Sequence, residues 1–174
     1  SVAADNVVVA PGCKLSLFLA MMAILNRGDE VLYPDPGFPG YGSIALGLDA
    51  KPVPFALTAA NKLQPDTDEI ASLITPKTKA IILNSPGNPT GTVYTDEVQQ
   101  RIAELAVKHD LYVLSDEIYA RIVYDREYLS MLRYPGMEER TLIIDGFSKS
   151  FAMTGWRLGY TVAPPALVPH LVML

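Results

Sequence analysis

Apolar residues in this chain follow two rhythms, short unbroken runs and longer stretches that repeat with a helical period, and their alternation outlines the fold. Val7-Val8-Val9 is a β-branched run of strand type. After Gly12, the residues Leu15, Phe18, Leu19, Met22 and Ala23 recur at i, i+3, i+4, i+7 and i+8, which predicts an amphipathic helix with that stripe facing the core. Asn26-Arg27-Gly28 is a stop signal for it. Val31-Leu32-Tyr33 reads as a strand, the Pro/Gly-rich segment Pro34 to Gly40 as a loop, and Tyr41 to Leu48 as a short helix. Pro52 to Phe55 reads as an edge strand, because prolines cannot donate to a ladder on both sides. A polar connection, Leu57 to Asp66, leads to a helix over Thr67 to Leu73. Lys79 to Leu83 is a buried strand, and Thr95 N-caps a helix whose Val98, Ile102, Leu105 and Ala106 share a face. Leu111 to Leu114 and Thr141 to Ile144 are further strands. Continuous apolar strands separated by helices predict a mainly parallel sheet flanked by helices on both faces, an α/β/α sandwich.

Composition narrows the class without changing that picture. The 174 residues, 49% hydrophobic and 19% charged, suit one soluble globular domain, with no repeat, low-complexity tract or linker. Fourteen basic against 19 acidic residues give a net charge of -5 with no basic stripe, so nucleic acid is not an expected partner. The single cysteine, Cys13, excludes an intrachain disulfide and a cysteine-based zinc site and suits a reducing compartment, by default the cytoplasm. No apolar run reaches membrane-spanning length and no secretory leader is visible, so no membrane association is expected.

Candidate chemistry gathers where the strands end. The expected strands finish at Leu83, Ser115 and about Asp145, and directly beyond them lie Asn84-Ser85-Pro86-Gly87-Asn88-Pro89-Thr90-Gly91, Asp116-Glu117-Ile118-Tyr119 and Gly146-Phe147-Ser148-Lys149. Ligands of open α/β sheets bind outside the carboxyl ends of strands, so all three point at one crevice. Each motif also has a plainer reading: strand ends lead into turns rich in Asn, Asp, Gly and Pro, and Asn88 then only makes an Asx turn. Further on, Lys149 and Arg157 join an amine able to form an imine to a guanidinium able to grip a phosphate, within a run of small residues.

Together, P-G-N-P-T-G at 86–91, S-D-E-I-Y at 115–119 and S-K-S-F-A-M-T-G-W-R-L-G-Y at 148–160 resemble the class I/II aminotransferases, pyridoxal phosphate enzymes of fold type I. R-G-D-E-V-L at 27–32 and Y-P-D-P-G-F-P-G-Y at 33–41 extend the resemblance through nearly the whole chain. It implies a large cofactor-binding domain over residues 1–174 and a transferase of amino groups between amino acids and 2-oxo acids, with pyridoxal 5′-phosphate as cofactor. By the same resemblance Lys149 carries the cofactor as an internal aldimine and then shuttles the proton. Asp116 sits by the pyridine nitrogen and keeps it protonated, Tyr119 and Asn88 hydrogen-bond the phenolic oxygen, and Arg157 binds the phosphate. Gly12 and Cys13 place a helix N-terminus at the phosphate, and Phe38 stacks on the ring. No metal is implied. A lyase on the same scaffold and a non-catalytic ligand-sensing domain are the alternatives; the lysine and the lack of a basic helix-turn-helix segment speak against sensing.

Two positions depart from the family's pattern. Pro11 stands where Ser or Thr is frequent and removes a donor, and Gly146 stands where many members place a phosphate-binding serine, so Ser148 is the expected substitute hydroxyl. His109 and His170 match no catalytic element. The resembled enzymes also extend beyond both ends, with an N-terminal arm, a small domain carrying the arginine for the substrate α-carboxylate, and a homodimer that completes the site. The resemblance therefore implies a partial catalytic unit, a truncated piece or partial gene product that alone binds cofactor poorly.

Overall fold

The structure, a computed structural model, describes residues 2–125 and 127–174. In chain order the elements are β1 (Val7–Ala10), α1 (Cys13–Ile24), β2 (Glu30–Asp35), α2 (Gly40–Gly47), β3 (Lys51–Ala56), α3 (Thr67–Leu73), β4 (Thr78–Asn84), α4 (Asp96–Lys108), β5 (Tyr112–Asp116), β6 (Thr141–Gly146), β7 (Gly159–Val162) and α5 (Val168–Met173). The strands form one sheet in the order β1-β7-β6-β5-β4-β2-β3. Strands β2 to β6 run parallel, and β7 is antiparallel to both β1 and β6. No helix of the described residues is long and apolar enough to cross a membrane.

Alternation along each buried strand divides the core in two. On β4, Ala80 and Ile82 pack with Leu17, Met21 and Tyr41 of α1 and α2, while Ile81 and Leu83 pack with Ile70, Ile102 and Leu105 of α3 and α4. Both faces of the sheet are thus covered, which is why its strands read as unbroken apolar runs. Strand β3 lies on the edge, as its prolines require. Lys51 N bonds to Asp29 O and Leu57 N to Asp35 O, so odd-numbered positions donate to β2 and the missing amides of Pro52 and Pro54 fall on the open side.

Caps fix the helix starts where the sequence placed them. Thr95 Oγ1 accepts from Val98 N at 3.3 Å, and Asp66 accepts from Asp68 N at 2.9 Å and Glu69 N at 3.2 Å. One helix face is not as expected. On α1 the buried residues are Ser16, Leu17, Ala20, Met21 and Ile24, whereas Leu15 and Met22 are exposed. The helix is apolar nearly all round, so periodicity offers two stripes, and the one containing small Ala20 against the sheet is the one buried. Strand β7, which opens on Gly159 and lacks the β-branched run of β1, and helix α5, 6 residues long, also went unread.

Candidate active site

Three adjacent strands, β4, β5 and β6, deliver the three motifs side by side at their carboxyl ends. There they enclose a cleft of about 310 Å³ lined by Asn88, Asp116, Tyr119, Ser148, Lys149 and Arg157, with Cys13 and Phe38 reaching in from the start of α1 and the loop before α2. Eight of the nine residues singled out from the sequence therefore share one cleft. Gly12, the ninth, abuts it through Arg157. A β-carbon there would collide with the guanidinium, and φ is +87°, a conformation suited to glycine. A wider hollow of about 550 Å³ adjoins the cleft and shares Asn88 and Tyr119, but no lysine or arginine lines it among the described residues. His109 and His170 lie elsewhere, both exposed.

The carboxylate at the floor of the cleft is held by neighbours that sequence reasoning gave no role. Tyr41, wholly buried, donates its hydroxyl to Asp116 Oδ2 at 2.7 Å, and Ile118 N lies 3.4 Å from Oδ1. Burial, with a smaller contribution from nearby Asp145, pushes the Asp116 carboxyl up to about 6 against the pull of these donors. No ion pair engages it among the described residues. Asn84 ties two motifs together: its Nδ2 donates to Asp116 O at 3.0 Å, and its Oδ1 accepts from Asn88 N at 2.7 Å. As the last residue of β4 it obeys the strand-end rule that found its neighbours. Tyr41 left no comparable trace, since a buried aromatic in a helix looks the same with or without a partner for its hydroxyl. Burial first, and then Asp116 and Cys13, raise the Tyr119 hydroxyl above its ordinary range, so it is a donor at neutral pH.

The end of the cleft at Arg157 is built from close backbone approaches. α1 begins at Gly12 without a side-chain cap; Leu15 N bonds to Gly12 O at 3.1 Å, and the amides of Cys13 and Lys14 have no partner within the helix. Arg157 adopts the left-handed conformation at φ 51° and donates to Thr154 O at 3.1 Å, which folds the exposed segment after Lys149 back toward α1. Gly146 explains the missing serine: a β-carbon there would stand 2.6 Å from Cys13 Sγ and 2.8 Å from Leu158 O. The thiol fills the space a side chain at 146 would need. Burial, with Asp116 and Asp145 nearby, pushes that thiol up to about 12, so it stays neutral. Ser148, buried at the rim of the same cleft, is the hydroxyl in reach.

A phosphorylated, cationic-ringed cofactor fits these residues. An unpaired carboxylate on the floor, a guanidinium against an uncapped helix start and a lysine at the opening are complementary to its protonated ring nitrogen, its phosphate and its carbonyl carbon.

Known proteins share both sequence and architecture with this chain. A putative aminotransferase, YugH, from Bacillus subtilis is 46% identical over 163 residues, covering 94% of this chain and 42% of that protein. Aspartate aminotransferase from Musicola paradisiaca is 46% identical over 168 residues, covering 96% and 42%. A single mutant of Thermus thermophilus aspartate aminotransferase superposes with a TM-score of 0.96 at 38% identity, over 99% of this chain and 45% of that one. The chain thus spans less than half the length of the relatives it matches, and its sheet and helices are those of a fold type I aminotransferase. The family model for aminotransferase class I and II matches residues 1–174. That match runs the whole length of the chain, and the chain belongs to the class I and II aminotransferases.

Proposed function

We propose that residues 1–174 are the large, cofactor-binding domain of a pyridoxal 5′-phosphate-dependent aminotransferase that passes an amino group between an amino acid and a 2-oxo acid. The observation that carries this reading is the meeting of Lys149, Asp116 and Arg157 in one cleft. When bound, the cofactor supplies an electrophilic carbon for amines and a ring that accepts electron density from the substrate α-carbon. The chain's own residues do the rest. Lys149, exposed at the cleft, provides the amine for the covalent link and, once released, carries the proton from the substrate α-carbon. Asp116, ionised above about pH 6 and unpaired, holds a proton on the ring nitrogen as its counter-ion. Tyr119 and Asn88 donate to the phenolic oxygen, Phe38 covers the ring, and Arg157 with the Cys13 amide and the Ser148 hydroxyl binds the phosphate, while Gly12, whose own amide bonds to Ala10 O at 2.7 Å, leaves room for the guanidinium.

The full-length protein is a homodimer in this reading. Its support is the apolar surface beside the cleft, where Phe151 is 50% and Trp156 75% exposed. A single neutral thiol suits a reducing compartment, the cytoplasm.

Reconstitution of the full-length protein with pyridoxal phosphate tests the proposal. An amino acid should convert the visible band of the lysine-linked cofactor to the amine form, and a 2-oxo acid should restore it. Lys149→Ala should abolish the band; its persistence would overturn the assignment. Release of pyruvate or ammonia without an oxo-acid acceptor would mark a lyase instead.

A further inference from the structure

Directly after Asp116, the chain places a second carboxylate that faces away from the cleft. Glu117 is 6% exposed, and its Oε1 accepts from Ser115 Oγ at 3.0 Å, Ser130 Oγ at 2.9 Å and Met131 N at 3.4 Å. Tyr128 also hydrogen-bonds to it. Glu117 N in turn bonds to Ile144 O at 2.8 Å, which fastens this residue to β6. One buried carboxylate therefore joins the end of β5 to the segment at 128–131, drawing together the two ends of a loop. Within that loop, Ala120 N bonds to Glu117 O and Ile122 N to Tyr119 O, each at 2.8 Å, in tight turns that bring Tyr119 to the cleft. Two residues after Tyr119, the Arg121 guanidinium lies 5.5 Å from the Phe151 ring centroid, on the segment that follows Lys149.

We propose that Glu117 is a positioning residue, the clasp of the loop over residues 117–131, which fixes the Tyr119 hydroxyl relative to the cofactor's phenolic oxygen. Burial alone does not account for it. An acid here costs more than an amide or apolar side chain unless its acceptors are used, and all its donors come from the two ends of the loop. Burial, working against the pull of the donors from Ser130, Ser115, Tyr128 and Met131, leaves its carboxyl raised to about 6, so it is largely ionised at neutral pH. Charge-assisted bonds to two serines and an amide hold a loop more tightly than neutral ones.

The inference rests on the cofactor reading above, and its test separates the two. In the full-length protein loaded with pyridoxal phosphate, the pH midpoint of the visible band reports the proton affinity of the lysine-linked nitrogen. Tyr119→Phe removes a donor to the phenolic oxygen and should raise that affinity. Glu117→Ala should raise it in the same direction, by about threefold or more, and add nothing in the double variant. Glu117→Gln, which keeps an oxygen for Ser130 and Met131, should return most of the shift. Ser130→Ala is a milder variant should Glu117→Ala fail to fold, and it should give a smaller shift of the same sign. In the apo protein, hydrogen exchange of the amides between 118 and 129 should quicken in both variants. An unchanged midpoint in Glu117→Ala and Ser130→Ala, or a shift that adds to that of Tyr119→Phe, overturns the clasp. A wild type with no visible band overturns the cofactor reading instead, and the apo exchange measurement still decides whether Glu117 holds the loop.

Discussion

Replacing Asp116 by Asn should make the apo protein more stable while weakening its hold on the cofactor. Asp116 titrates at about 6 in the folded chain against an ordinary 3.8. Between those values the folded state binds more protons than the unfolded one, so stability falls as pH rises through the window and stays lower above it. At about 1.4 kcal/mol per pH unit the full cost of the ionised carboxylate is roughly 3 kcal/mol, and partial solvent access brings the expectation to about 1–3 kcal/mol. Asn keeps an oxygen for the Tyr41 hydroxyl 2.7 Å away, but cannot ionise. Thermal melts of the full-length apo protein at pH 8 should therefore place Asp116→Asn above wild type, with the gain fading toward pH 4. Adding pyridoxal phosphate should reverse the order, because only the wild-type carboxylate gains from a cation at the ring nitrogen. A variant no more stable than wild type at pH 8, or one whose gain is the same at pH 4 and pH 8, would refute the reasoning.

Gly146→Ser should destabilise the protein by about 1–3 kcal/mol through overpacking, and Cys13→Ala in the same chain should recover only part of the loss, since Leu158 O and Gly159 Cα also crowd the new β-carbon; full recovery in thermal melts would show that the thiol is the sole obstacle. Arg157→Ala should weaken pyridoxal phosphate binding by about tenfold or more while leaving binding of unphosphorylated pyridoxal nearly unchanged, measured by equilibrium titration; equal losses for both ligands would place the guanidinium away from the phosphate. Thr95→Ala should cost about 1 kcal/mol by removing the cap on Val98 N, read from denaturant midpoints, and a cost near zero would mean that water replaces the hydroxyl.

What the sequence revealed and what it hid follow from how locally each feature is encoded. Strands β2, β4, β5 and β6 were legible as unbroken apolar runs because both faces of the sheet are covered, and helix α4 because it buries one face at the helical period. Helix α1 carries apolar residues on several faces, and the choice between its two stripes depends on the sheet it meets, so the local pattern pointed at Leu15 and Met22, which are exposed. Strand β7, four residues beginning at Gly159, has too little pattern to read, although its glycine lets the start of α1 approach, a β-carbon there lying 2.6 Å from Cys13 N. The site divides in the same way. Asn88, Asp116, Tyr119, Ser148 and Lys149 follow strand ends and could be found from strand positions alone, because β4, β5 and β6 are neighbours in the sheet as well as in the chain. Tyr41 and Glu117 act through partners remote in sequence or on the far side of the strand end, Asp116 for the one and Ser130 for the other. Most residues that line the cleft are announced by where strands stop, whereas residues that hold those in place are defined only by what the fold brings to them. The support behind Asp116 and Tyr119 is therefore where a structure adds most to the sequence, and where substitutions should alter the chemistry without touching the cofactor.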